Sequence, residues 1–108
     1  MMSGELGAAK AVFKELIQNY PDFEWPYGNL GSLFIQEGRI DLAQDVLEKA
    51  LQINRFYLNA WFHLTRARIL ASDFAGARKC LDEIESIDPT APSLQHMRDT
   101  LEGIESWD

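Results

Sequence analysis

Cysteine is almost missing from this chain. Cys80 stands alone, so no disulfide can close within the chain and no Cys-x-x-Cys pair exists. No apolar run approaches the roughly 18 residues of a membrane span. The opening residues Met1-Met2-Ser3-Gly4-Glu5 lack the basic stretch and apolar run of a secretory leader. Together these absences point to a reducing, cytoplasm-like compartment. Positive charge is scarce as well: 10 Lys and Arg face 17 Asp and Glu, a formal net charge of −7. The deficit is even, with 8 acids and 5 bases in residues 1–57 and 9 acids and 5 bases in residues 58–108. Binding to nucleic acid rests on phosphate neutralisation by Lys and Arg, so no nucleic-acid partner is expected. An anionic membrane surface is excluded on the same ground.

The groups that carry chemistry are equally sparse. His63 and His96 have no acid at helical spacing that would make a metal-ligand pattern. Gly28 and Gly31 lie inside a helical pattern, not in a phosphate-cradling loop. Cys80 sits on an apolar stripe, where a thiol is inert. No metal, no cofactor and no catalytic group are expected, and the chain reads as a binding protein, not an enzyme. Asp82, Glu83, Glu85 and Asp88 form an acidic cluster, read as a solvated helix face.

What the chain does have is repetition. At 108 residues it is one domain, able to bury a single core without staples. Shifted by 34 residues, it matches itself. Leu6, Ile40 and Phe74 coincide, as do Ala9, Ala43 and Ala77. So do Phe13, Leu47 and Leu81, then Leu16, Ala50 and Ile84. In the other half of the unit Tyr27 meets Trp61 and Leu30 meets Leu64. Each set steps by three and four, which makes an apolar stripe along a helix. Tyr20 belongs to the first stripe, Leu70 to the third and Ile104 to the last. No strand-length alternation occurs, so the fold class is all-α.

Breaks in the pattern mark the helix ends. Pro21-Asp22, Glu37-Gly38, Ser72-Asp73 and Asp88-Pro89-Thr90 interrupt the stripes. Pro26 and Pro92 suit a first helical turn. Gly38 suits a left-handed C-terminal position, and Asp73 and Thr90 suit N-caps. The spacing predicts six helices, near 5–19, 25–36, 40–53, 59–71, 74–86 and 91–104.

A 34-residue unit of two antiparallel helices resembles the tetratricopeptide repeat. The unit at 24–57 carries Tyr27, Leu30, Gly31 and Phe34 on its first helix and Ala43, Leu47 and Ala50 on its second, with Arg55 in place of the usual closing proline. The unit at 58–91 carries Trp61, Leu64, Ala77, Leu81 and Pro89, and departs at Thr65 and Arg68, where glycine and an aromatic are usual. The resemblance implies antiparallel helix pairs stacked as a short right-handed α-solenoid. Residues 5–20 would then be a second helix lacking its mate, and 92–105 a capping helix whose polar face carries Gln95, Arg98, Asp99, Glu102 and Glu105 and leaves the repeat register. Ala8 and Ala11 on the unpaired helix could receive another helix. That leaves three readings: part of a longer repeat protein, an interface with another subunit or copy, or a tolerated bare face.

The resemblance also implies a function, capture of a peptide from another protein in an inner groove lined by the first helix of each unit. The matching positions are Trp25, Asn29, Ser32, Ile35 and Gln36, then Asn59, Phe62, His63, Arg66 and Ile69. Phe62, Arg66 and Ile69 lie at i, i+4 and i+7, away from Trp61 and Leu64, where an apolar residue has no core role. Arg66 could hold a carboxylate through paired hydrogen bonds. Some members clamp an acidic chaperone tail with Lys, Asn and Arg. Here the matching sites hold Gly28, Ser32 and His63, so chaperone-tail binding is not expected.

Overall fold

The computed structural model describes residues 2–105. Within them the chain forms six helices and no strand: α1 (Met2–Asn19), α2 (Glu24–Gln36), α3 (Ile40–Ile53), α4 (Leu58–Leu70), α5 (Phe74–Ile87) and α6 (Leu94–Glu105). It measures 42 × 31 × 20 Å. Each helix packs on its sequence neighbour, and α2 also touches α4. No helix among the described residues is long and apolar enough to cross a membrane.

The 34-residue period reappears as repeated local structure. Both α2 and α4 end in the same motif. After α2 the Gly38 N–H bonds the Ile35 carbonyl at 3.0 Å and the Arg39 N–H bonds the Phe34 carbonyl at 2.8 Å. After α4 the Ser72 N–H bonds Ile69 at 2.9 Å and the Asp73 N–H bonds Arg68 at 2.8 Å. The pivot residue must turn left-handed to satisfy these carbonyls, and Gly38 does so at φ 76° and Ser72 at φ 61°. The returns from α3 and α5 repeat too: the Asn54 side chain accepts the Phe56 N–H at 3.1 Å, and the Asp88 side chain accepts the Thr90 N–H at 3.1 Å. This turn explains how residues 54–57 dispense with the closing proline.

The two aromatic positions share a tie as well. The Tyr27 hydroxyl donates to the Pro21 carbonyl at 2.9 Å, and the Trp61 indole N–H donates to the Arg55 carbonyl at 2.8 Å. Each ring fills the interior while its polar tip fastens the incoming loop six residues back.

The core forms two clusters. One gathers Leu30, Phe34, Ala43, Leu47, Ala50, Ala60, Leu64 and Ala67 from α2, α3 and α4. The other gathers Ala77, Leu81, Ile84, Leu94 and Leu101 from α5 and α6. Trp61 packs against both. Cys80 is buried in the first cluster, and burial raises its thiol pKa although Arg68 opposes the shift.

Three expectations need correction. Thr90 does not cap α6: its hydroxyl bonds Asp88 at 2.9 Å, and Pro92 lies in the turn ahead of the helix, which starts at Leu94. Tyr20, just past the end of α1, is 60% exposed, and Leu70, the last residue of α4, is 59% exposed. The acidic cluster is not merely solvated, since Asp82 and Glu85 receive the Arg98 guanidinium at 3.0 and 2.7 Å and join α5 to α6.

Candidate functional site

Helix α4 presents two sides. Ala60, Leu64, Thr65 and Ala67 are buried against the core. Phe62, Arg66 and Ile69 point elsewhere and share a cavity with α6. Phe62, Arg66, Ile69 and Leu70 from α4, with Ser93 from the turn ahead of α6 and His96, Met97 and Thr100 from α6, line a cavity of about 530 Å³. That size falls in the range of roughly 300–1,000 Å³ typical of ligand sites. Phe62, Ile69 and Met97 are half-buried and pack onto the second core cluster. The expectation that Phe62 and Ile69 lack a core role is therefore corrected: one part of each side chain closes the core, and the other forms the trough wall.

Charge in this trough runs against the chain. The lining holds no acid. Arg66 is exposed and forms no ion pair among the described residues; its guanidinium lies 3.3 Å from the His63 Nδ1. Burial, and next the Arg66 charge, lower the His63 pKa, so the ring stays neutral and can accept from Arg66. Arg66 keeps donors free to meet an acceptor from outside.

The other positions named from sequence do not join this cavity. Trp25 turns to an aromatic group, edge-on to Phe13 at 5.5 Å and stacked on Phe23 at 6.2 Å. Asn29 donates to the Trp25 carbonyl of its own helix at 2.8 Å. Ile35 is buried. Ser32 is half-buried, and Gln36 and Asn59 are exposed. Gly28 faces the Tyr57 ring so closely that a Cβ there would stand 2.7 Å from it. Burial raises the Tyr57 pKa, while a hydrogen bond with Asn59 opposes the shift.

The sequence reading missed the α6 wall. Ser93, Met97 and Thr100 stand one 34-residue period beyond Asn59, His63 and Arg66, and His96 one period beyond Phe62. Gln95, Arg98 and Asp99 replace the family's consensus residues and hide that continuity, yet Leu94 and Leu101 keep the buried positions of Ala60 and Ala67. Helix α6 therefore stays in register instead of leaving it. Of its polar face, the Glu105 side chain lies outside the described residues. Among the described residues no group of three His, Cys, Asp or Glu could hold a metal ion.

Comparison with known proteins supplies the family. A model described as tetratricopeptide repeat matches residues 1–55 and 34–99. No curated protein matches the sequence. Among solved structures, the first repeat domain of Spaghetti (RPAP3), bound to the HSP90 peptide SRMEEVD, is similar with TM-score 0.89 at 15% identity, covering 97% of this chain and 85% of that one. The Arabidopsis OM64 repeat domain gives TM-score 0.87 at 16% identity over 94% and 84% of the two chains. The TPR2B domain of yeast Sti1, in its pHsp70 complex, gives TM-score 0.85 at 16% identity over 99% and 88%.

Proposed function

Because this chain belongs to the tetratricopeptide repeat family, a fold of protein-interaction modules, we propose that it is an adaptor that captures a peptide segment of a partner protein in the groove of its first helices. Residues 24–57 and 58–91 act as its two repeats, with 5–20 as an unpaired second helix and 92–105 as the closing helix. The observation that carries this reading is the trough itself: three of the positions named from sequence, Phe62, Arg66 and Ile69, line one apolar cavity with α6. Apolar walls with one convergent cation suit capture of a side chain, and the role needs no reacting group.

The similar structures, one bound to an HSP90 peptide and one in a pHsp70 complex, do not extend their ligands to this chain. Gly28, Ser32 and His63 offer no Lys, Asn or Arg to clamp a tail, and the Tyr57 ring already covers Gly28.

The test is a peptide array probed with the wild-type chain and with Phe62→Ala and Arg66→Ala. Both variants should lose the captured peptides while keeping the wild-type helical circular dichroism. Capture that survives both substitutions would refute the groove.

Helix α1 supports a second reading, assembly through its bare side. Among its described side chains none is fully buried; Ala8 and Ala11 are exposed and Val12 is 54% exposed. If the chain assembles there, light scattering should report a multiple of 12.3 kDa, and Ala8→Glu or Ala11→Glu should return it to the monomer mass.

A further inference from the structure

The trough between α4 and α6 has a direction. Phe62 and Leu70 stand eight steps apart on α4, and Ser93, in the turn just ahead of α6, stands seven steps before Thr100, so both walls run about 10–12 Å at roughly 1.5 Å per residue. A cavity of about 530 Å³ takes several side chains in a row rather than one. Two turns of a helix have the same length as the walls and place side chains at i, i+4 and i+7 on one face. An extended strand would fit only about three residues into that length, with alternate side chains pointing away from the floor.

Charge selects among helices. Arg66 sits midway along the α4 wall, between Phe62 and Leu70, and His96 stands on the α6 wall. No acid lines the trough, although the chain carries net charge −7. A basic helix would leave Arg66 opposed by like charge. An acidic one would meet the guanidinium beside its middle anchor.

Resting on the groove reading above, we infer that the partner segment is an acidic amphipathic helix lying lengthwise in the α4–α6 trough. It sets aliphatic side chains against Phe62, Ile69, Leu70 and Met97 and a carboxylate on Arg66. The partner's apolar stripe replaces solvent on the exposed part of Leu70, which is bare at 59%. Specificity comes from Arg66, since the apolar walls accept any stripe of suitable size.

Three fluorescent helical peptides of about 14 residues test this; shorter ones would be marginal as free helices. All carry leucines at i, i+4 and i+7, and they differ only in the residues flanking the middle leucine: Glu, Gln or Lys. Anisotropy titrations against the full chain should rank Glu over Gln over Lys, with Glu about tenfold tighter than Gln. In Arg66→Gln that preference should vanish, the Glu peptide losing its roughly tenfold advantage over the Gln peptide. Ile69→Glu should weaken all three. If all peptides bind alike and Ile69→Glu weakens them, the groove stands and the acidic helix falls. If no peptide binds or Ile69→Glu changes nothing, the groove reading falls as well. Self-association abolished by Ile69→Glu would assign the trough to a second copy and overturn the proposal.

Discussion

The helix pairs α2–α3 and α4–α5 occupy the same lattice and fill it differently. In the first pair Gly31 lies against Leu47 so closely that an added Cβ would be 2.5 Å from its side chain. In the second the equivalent position is Thr65, fully buried, its hydroxyl bonded to the Trp61 carbonyl at 2.8 Å. Phe34 fills the first interior, whereas the second has Arg68, whose guanidinium reaches the Gly76 carbonyl and Cys80 sulfur, both at 3.1 Å. The looser, more polar pair also bears the open trough; in the first, Tyr57 covers Gly28 and Trp25 is taken up by Phe13 and Phe23. Close helix contact and an open trough thus stand in different parts of one repeated scaffold.

Exchanging residues between the pairs should break the comparison. The largest effect is expected from Gly31→Thr, which forces α2 away from Leu47 and should cost about 3 kcal/mol. Thr65→Gly, the reverse exchange, should cost about 1–2 kcal/mol through lost packing and added backbone freedom. Urea melts of the two variants measure the asymmetry, and equal losses would show that the close contact in the first pair does not matter.

Helix starts differ next. Asp73 accepts the Gly76 N–H at 3.0 Å and caps α5, whereas Arg39 offers α3 no side-chain cap. Asp73→Ala should cost about 1 kcal/mol. Arg39→Ala should change stability by only a few tenths, the scale of its weak contact with the Phe34 ring at 5.7 Å. Thermal melts resolve the two, a kilocalorie corresponding to several degrees in a domain of this size.

Helix ends offer the one predicted gain. Ser72 holds at φ 61° the conformation that Gly38 adopts without a Cβ. Ser72→Gly should stabilise the fold by about 0.5–1 kcal/mol, and Gly38→Ser should destabilise it by a similar amount. A shift of the same sign in both would sink the equivalence.

The smallest effect concerns pH. The folded chain lowers the His63 pKa, by burial first and Arg66 second. As pH falls below the ordinary histidine value of about 6.5, the unfolded chain takes up the proton before the folded chain does. Stability from this residue is therefore full above that pH and declines until the folded ring also protonates. Urea midpoints at successive pH values should show the decline, and His63→Gln should flatten it.

Much of this molecule was legible in the order of its residues. A 34-residue lattice of apolar positions dictates six helices, because only one helical face can be hidden against a neighbour, and turn residues such as Gly38 and Asp73 act within a few bonds of themselves. Phe62, Arg66 and Ile69 were legible for the same reason: spacing shows that they face away from Leu64. Their partners were not. His96, Met97 and Thr100 stand on a helix whose consensus residues are replaced, and what brings them opposite α4 is the packing of Leu94 and Leu101 into the core with Leu81 and Ile84. Local sequence decides which side of a helix is apolar, because backbone geometry is the same in every helix. Which two helices form a trough, and which groove positions are already covered by Tyr57 or Phe13, depends on contacts between residues far apart in the chain, and only the tertiary structure decided those.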